Sequence, residues 1–261
     1  MALLTSERFI REDGETIAYL RRGGKSPGVV WLGGFHSDMN GTKAQALDVW
    51  AESRGRACLR FDYYGHGASS GAFRDGTITR WRGDVLAVLD RLCDSPQVLV
   101  GSSMGAWIAL LAALARPEKV AALLLLAPAA DFTEALIWER MSPEIRREIM
   151  ERGEWQRPSV YGDGPYPITR ALIEDGRRRR LLGAPIALDC PVHIIQGMKD
   201  PDVPWQHALK LVENLSGNPT LTLVKNGDHR LSTPEDLARV AAALDAILAV
   251  APAVIPGGAM R

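Results

Sequence analysis

The segment Val98-Leu-Val-Gly-Ser-Ser-Met-Gly-Ala-Trp107 passes from an apolar, strand-like run into a helical one through Gly101-Ser-Ser-Met-Gly105. A serine in so tight a turn holds its hydroxyl clear of both elements. Side chains larger than hydrogen at 101 and 105 would collide with the neighbouring helix and strand. Ser103 meets this spacing, and Ser102 stands one place early. The chemistry that such a turn serves is nucleophilic attack on a carbonyl. The N–H of Met104, at a helix N-terminus, would then point to where negative charge develops.

A serine hydroxyl is a weak nucleophile and needs a base held by an acid. His229, in Asn226-Gly-Asp-His-Arg-Leu231, lies in a polar loop just after the last expected strand. Asp200, in Gly197-Met-Lys-Asp-Pro-Asp-Val-Pro204, follows the strand before it, and Asp202 is its rival two residues on. Both loops would reach the carboxyl edge of a parallel sheet, where catalytic groups gather. Of the other histidines, His193 lies in an apolar strand, His207 on a helix that puts it at the surface, and His66 in the turn Tyr64-Gly-His-Gly67. His36 follows Gly33-Gly34-Phe35 and could line the site. The same glycine pair would bring the N–H of Phe35 to the oxyanion as a second donor beside Met104.

The elements that must position these groups alternate. Two short strands surround Asp13-Gly14, and strands are expected at Gly28–Leu32, Arg56–Phe61, Gln97–Gly101, Val120–Ala127, Pro191–Gly197 and Thr220–Val224. Helical periodicity covers Thr42–Arg54, Thr77–Cys93, Ala106–Arg116, Trp205–Leu215 and Pro234–Val250, the last with Thr233 as N-cap and Pro234 at the first helical position. This is an α/β pattern, with a mostly parallel central sheet and helices on both faces. The rhythm breaks over residues 131–189, which read as a small helical cap inserted into a core made of 1–130 and 190–250; residues 251–261 read as a loose tail. Within the insertion, Trp138 and Met141 could cover a substrate, and Arg177-Arg-Arg-Arg180 reads as a solvated helix face.

Lys plus Arg and Asp plus Glu both number 31 in the 261 residues, so no net field steers the protein to nucleic acid. Cys58, Cys93 and Cys190 show neither metal nor redox spacing and read as reduced packing residues. The longest apolar run, Val120–Ala130, is too short to span a bilayer. No Arg-rich leader precedes the fold, and a cytoplasmic location is expected.

Taken together, Gly33-Gly34-Phe35, Asp62-Tyr-Tyr-Gly-His-Gly-Ala-Ser69, Gly101–Gly105, Asp200-x-x-Val-Pro204 and Asp228-His229 resemble the α/β-hydrolase family over nearly the whole chain. The resemblance implies the α/β-hydrolase fold and a Ser103, Asp200, His229 triad, and it favours Asp200 over Asp202 because the family's acid opens Asp-x-x-Val-Pro. Finer matches at Gly41–Ala44, the cap segment 153–161 and Val203-Pro-Trp205 are similar to a branch that cleaves acyl thioesters and acyl glucuronides. They imply a small-molecule acyl ester or thioester, or an S-acylated protein, as substrate, and no metal or organic cofactor. A carboxylesterase or lipase for small to medium acyl esters is the alternative within this class. A non-catalytic ligand-binding protein of the same fold is the alternative outside it.

Overall fold

A computed structural model of the protein describes residues 4–159 and 164–251. The chain opens with β1 (Glu7–Ile10) and β2 (Thr16–Arg22), then alternates through β3 (Lys25–Leu32), α1 (Thr42–Arg54), β4 (Arg56–Phe61), α2 (Ile78–Leu92), β5 (Gln97–Ser102), α3 (Met104–Ala115) and β6 (Val120–Leu126). Beyond Asp131 the chain leaves the sheet. A π turn (Thr133–Ile137) and a 3-10 turn (Trp138–Arg140) lead into α4 (Pro143–Arg152), the antiparallel pair β7 (Glu154–Arg157) and β8 (Tyr166–Thr169), and α5 (Arg170–Arg178). It rejoins the sheet at β9 (Val192–Gly197), followed by α6 (Trp205–Asn214), β10 (Thr220–Val224) and α7 (Pro234–Val250).

The strands form one sheet in the order β1-β2-β4-β3-β5-β6-β9-β10, in which β2 runs antiparallel to β1 and β4 and every other pairing is parallel. β5 and β6 are buried along their whole length, as an unbroken Val/Leu-rich run at the centre of a covered parallel sheet requires. Alternate residues point to opposite faces. Val30, Leu32, Leu99, Leu123 and Leu125 therefore pack with α2, α3 and α6, while Val29, Trp31, Val98, Val100, Leu124 and Leu126 pack with α1 and α7. Thr233 caps α7 by accepting the N–H of Asp236 at 3.2 Å, with Pro234 at the first helical position. No described helix is long and apolar enough to cross a membrane.

The pair β7 and β8 is absent from the sequence reading. Each strand has only four residues, too few to show a period of two, and β8 contains Pro167. The tail beyond Ala251 and residues 160–163 lie outside the described residues.

One carboxylate ties the chain leaving β6 to the chain that follows α5. Buried Asp131 accepts the N–H of Leu181 and of Leu182, both at 2.8 Å. The inserted segment is also tied to α2, since Asp175 accepts from the Thr79 N–H and hydroxyl at 2.7 Å each. The arginine run is less solvent-directed than its sequence suggests. Arg177 pairs with Glu134 at 2.7 Å, Arg178 with Asp175 at 3.2 Å, and Arg179 donates to the Thr79 hydroxyl at 2.8 Å. Asp131→Ala would leave two amides without their charged acceptor, and should lower the unfolding free energy by roughly 2–4 kcal/mol. The check is a lower urea midpoint at unchanged slope.

Candidate active site

Ser103 occupies a single-residue joint between β5 and α3, with φ 54° and ψ −116°. Positive φ is costly for a residue bearing a Cβ and persists only where the surroundings over-determine it. Here the Ser103 N–H donates to Leu126 O at 2.9 Å, and its carbonyl accepts from Ala106 at 3.0 Å and Ala129 at 3.2 Å. The flanking glycines are steric requirements. A Cβ on Gly101 would lie 2.5 Å from Gly105 O, and one on Gly105 would lie 2.1 Å from Leu32 O.

The loops after β9 and β10 are drawn together by the Lys199 N–H donating to Gly227 O at 2.9 Å. They bring His229 Nδ1 to within 2.8 Å of Asp200 Oδ2, to which it donates. The Asp200 side chain is fully buried, whereas that of His229 is 18% exposed. The remaining acceptor capacity of Asp200 is also used: Oδ1 accepts from the Asp202 N–H at 2.9 Å and the Val203 N–H at 2.8 Å, and Oδ2 accepts from Gln196 Nε2 at 3.1 Å. These bonds fix the carboxylate and select the His229 tautomer protonated at Nδ1, leaving Nε2 as a base.

Asp202 thus lends its backbone to Asp200 while its side chain lines the adjoining cavity. Gln196 was missed in the sequence, although a lone amide near the end of the apolar strand β9 is a visible signal. Asp200, Asp202 and His229 offer ligand atoms within 4.8 Å of one another. The hydrogen bonds already engage both oxygens of Asp200 and Nδ1 of His229, so the donor set fits an acid–base pair better than a metal cage. Lys43 reaches over from α1 to donate to the Arg230 carbonyl beside His229; burial pushes its pKa down to about 8, against the attraction of Asp228 and Asp200.

The loop after β3 passes close to the nucleophile turn, for a Cβ on Gly34 would stand 3.5 Å from Ser103 Cβ. The Phe35 ring meets Phe73, Phe132, Trp81 and Tyr166 edge-on, with centroids 4.8–5.7 Å away. His36, at φ 58°, stacks on Tyr166 at 5.5 Å. Met104 opens α3, so its N–H has no intrahelical acceptor.

Ser103, His229, Phe35 and His36 stand between two cavities and line both. One, of about 360 Å³, is lined largely by residues 129–166, with Phe132, Leu136, Ile137, Met141 and Ile145 on one part of its wall and Arg140, Arg157 and Asp202 on another. The other, of about 550 Å³, has a mixed wall, with Ser37, Asp38, Thr42, Lys43, Arg230 and Ser232 along with Trp31 and Phe73. Met141 is therefore at the site. Trp138 is not, which corrects its expected place in the substrate pocket. Its ring is held between the guanidinium groups of Arg177 at 4.6 Å and Arg146 at 5.6 Å, because the π turn before it rotates the face that ideal helical spacing would present. Two other histidines are structural. His193 is hydrogen-bonded to the Thr222 hydroxyl at 2.9 Å, and His207, expected at the surface, is half-buried with Nε2 donating to Ala130 O at 2.7 Å.

Comparison with known proteins agrees with this architecture. Over 247 residues the chain is 41% identical to the palmitoyl-protein thioesterase ABHD10, mitochondrial, of Pongo abelii, covering 94% of this chain and 80% of that one. A solved structure from Agrobacterium vitis S4 superposes with a TM-score of 0.90 at 46% identity, covering 94% of this chain and 99% of that one. The mouse alpha/beta hydrolase domain-containing protein 10 superposes with a TM-score of 0.88 at 38% identity, again over 94% and 99%. The expected cytoplasmic location is overturned by these relatives, since the Pongo abelii protein is named mitochondrial. Residues 29–243 match the model of the alpha/beta hydrolase family, and the chain belongs to that family.

Proposed function

We propose that this hydrolase cleaves acyl thioesters and esters through an acyl-enzyme on Ser103. The observation that carries the reading is the His229 Nδ1 to Asp200 Oδ2 bond of 2.8 Å, on a histidine that lines the same cavity as the strained Ser103. Ser103 Oγ attacks the acyl carbon while His229 Nε2 takes its proton. The carbonyl oxygen becomes an oxyanion held by the N–H groups of Phe35 and Met104. The intermediate collapses, the C–S or C–O bond breaks, and His229 returns the proton to the departing thiol or alcohol. Water, deprotonated by His229, then attacks the acyl-serine, releasing the acid and restoring the Ser103 hydroxyl. Asp200 keeps the imidazole in the useful tautomer and stabilises the imidazolium. The mechanism calls for no metal or organic cofactor.

The two cavities suit the two halves of such a substrate. Residues 131–189 act in this reading as a cap over the smaller cavity, where Phe132, Leu136, Ile137, Met141 and Ile145 take the acyl chain. The larger cavity, with Ser37, Asp38, Lys43 and Arg230 on its wall, takes the leaving group, a small thiol or alcohol or the cysteine of an S-acylated protein. The thioester preference is supported by the name of the Pongo abelii relative, a palmitoyl-protein thioesterase.

Ser103→Ala should lower turnover by roughly three or more orders of magnitude with the fold intact. A fluorophosphonate probe should label Ser103 in the wild-type protein; folded protein that resists labelling would favour a ligand-binding module. Asp200→Asn should cost about 10⁴ in kcat, by analogy with a serine protease in which the amide holds the wrong tautomer. Asp202→Asn keeps the backbone bond to Asp200 and should cost far less; the reverse order would reassign the acid. Across a series of acyl thioesters of increasing length, Met141→Ala should shift the preferred chain length. Trp138→Ala, by contrast, should lower stability and leave chain-length preference in place.

A further inference from the structure

His66 is 4% exposed, in the turn after β4, with its ring edge-on to Tyr63, Phe73 and Trp81. Both of its nitrogens are engaged. Nδ1 lies 3.1 Å from Tyr64 O, and Nε2 accepts the backbone N–H of His36 at 3.3 Å. A carbonyl only accepts and an amide N–H only donates, so the two bonds coexist only in a neutral ring protonated at Nδ1. Burial favours that neutral form, pushing the pKa down to about 4.

The amide that His66 holds belongs to a strained turn. Phe35 and His36 are the central residues of a turn closed by the Ser37 N–H donating to Gly34 O at 3.3 Å, and His36 sits at φ 58°. Without a partner for the His36 N–H, the peptide between Phe35 and His36 could rotate towards the ordinary negative-φ region. With that plane fixed on one side and the Phe35 ring packed on the other, the amide preceding Phe35 loses its freedom to turn. The same turn grips the loop a second time, through Asp62 Oδ1, which accepts the Met39 N–H at 2.7 Å.

We propose that His66 is a positioning residue of the oxyanion loop, whose Nε2 lone pair holds the His36 amide and thereby keeps the Phe35 N–H aimed at the reacting carbonyl oxygen. The proposal rests on the serine-hydrolase reading of Ser103, Phe35 and Met104.

The test compares His66→Met, which fills the space without an acceptor, with His66→Gln, whose amide oxygen reaches the Nε2 position. Each is assayed for kcat and KM on one acyl thioester and for Ki of the trifluoromethyl ketone carrying the same acyl chain. Losing an oxyanion donor outright costs about 10²–10³ in kcat, so misplacing one should cost His66→Met about 10–100-fold. KM should hold, the ketone should weaken in parallel with kcat, and His66→Gln should recover most of both. Wild-type kcat and Ki in His66→Met, or equal losses in the two variants, would overturn the proposal. Should His66→Met fail to fold, imidazole ¹⁵N shifts of the wild-type enzyme read the same claim. Nδ1 must carry the proton through the neutral range, and the opposite tautomer or titration in the ordinary histidine range overturns it. Ser103→Ala, assayed alongside, separates the two levels. Activity surviving it sinks the serine reading itself, whereas an inactive Ser103→Ala beside a fully active His66→Met sinks only the role of His66.

Discussion

The contact on which the rest of the site depends is the seating of the first turn of α3 on the end of β3. No Cβ fits at Gly105 because Leu32 O and Gly33 O already occupy its place. The helix can approach this closely only through a glycine, and the approach sets several things together. It leaves Ser103 as a one-residue joint with positive φ, and it opens α3 at Met104 with an unpartnered N–H. It also brings that end of the helix against the start of the loop that carries Phe35. The nucleophile and both proposed oxyanion donors therefore share one backbone junction, where a shift of a few tenths of an ångström would move all three.

Around that junction, buried carboxylates do the work of cross-links. Asp200 binds the base loop, Asp62 joins the turn after β4 to the loop after β3, and Asp131 joins the chain after β6 to the chain after α5. Burying a carboxylate is costly unless every oxygen is met. Each of these is met by two or more donors, most of them backbone N–H groups. Desolvation leaves the pKa of Asp62 and Asp131 raised, with the backbone N–H groups offsetting only part of it. A chain whose three cysteines are all free can fix its loops in this way.

The elements with strong local signals were legible in the sequence. α1 ends at Arg54 because Gly55 takes the left-handed cap at φ 60°, and α7 starts at Pro234 because Thr233 caps it. The types and chain order of Ser103, Asp200 and His229 were legible too, since alternation alone sends three loops to one edge of a parallel sheet. What escaped depended on phase or on distant partners. The π and 3-10 turns over Thr133–Arg140 break the 3.6-residue period, and so turned Met141 to the cavity and Trp138 away from it. Gln196 and His66 were visible as residue types, but their roles arise from contacts with Asp200 and His36 that no local pattern encodes.

Backbone strain shows where the chain concentrates its constraints. The non-glycine residues with positive φ among those described are His36, Ser103, Ala127, Asp131 and Leu231, and all of them follow the carboxyl ends of sheet strands. Each is restrained by a bond from outside its own turn or by a carboxylate within it: Ser103 N–H by Leu126 O, Ala127 N–H by Ile195 O at 2.9 Å, Leu231 N–H by Asp228 at 2.9 Å, Asp131 through its own carboxylate, and His36 by His66. A relaxed loop could offer the same side chains but not a fixed direction for its N–H groups, and an oxyanion site gains its advantage from donors already aimed before charge appears. The strain at this edge is consistent with that demand. Of the residues that restrain it, Leu126 and Ile195 are buried in the sheet, His66 stands on the wall of the larger cavity, and Asp228 is exposed, so the restraint is spread from the core to the rim of the site.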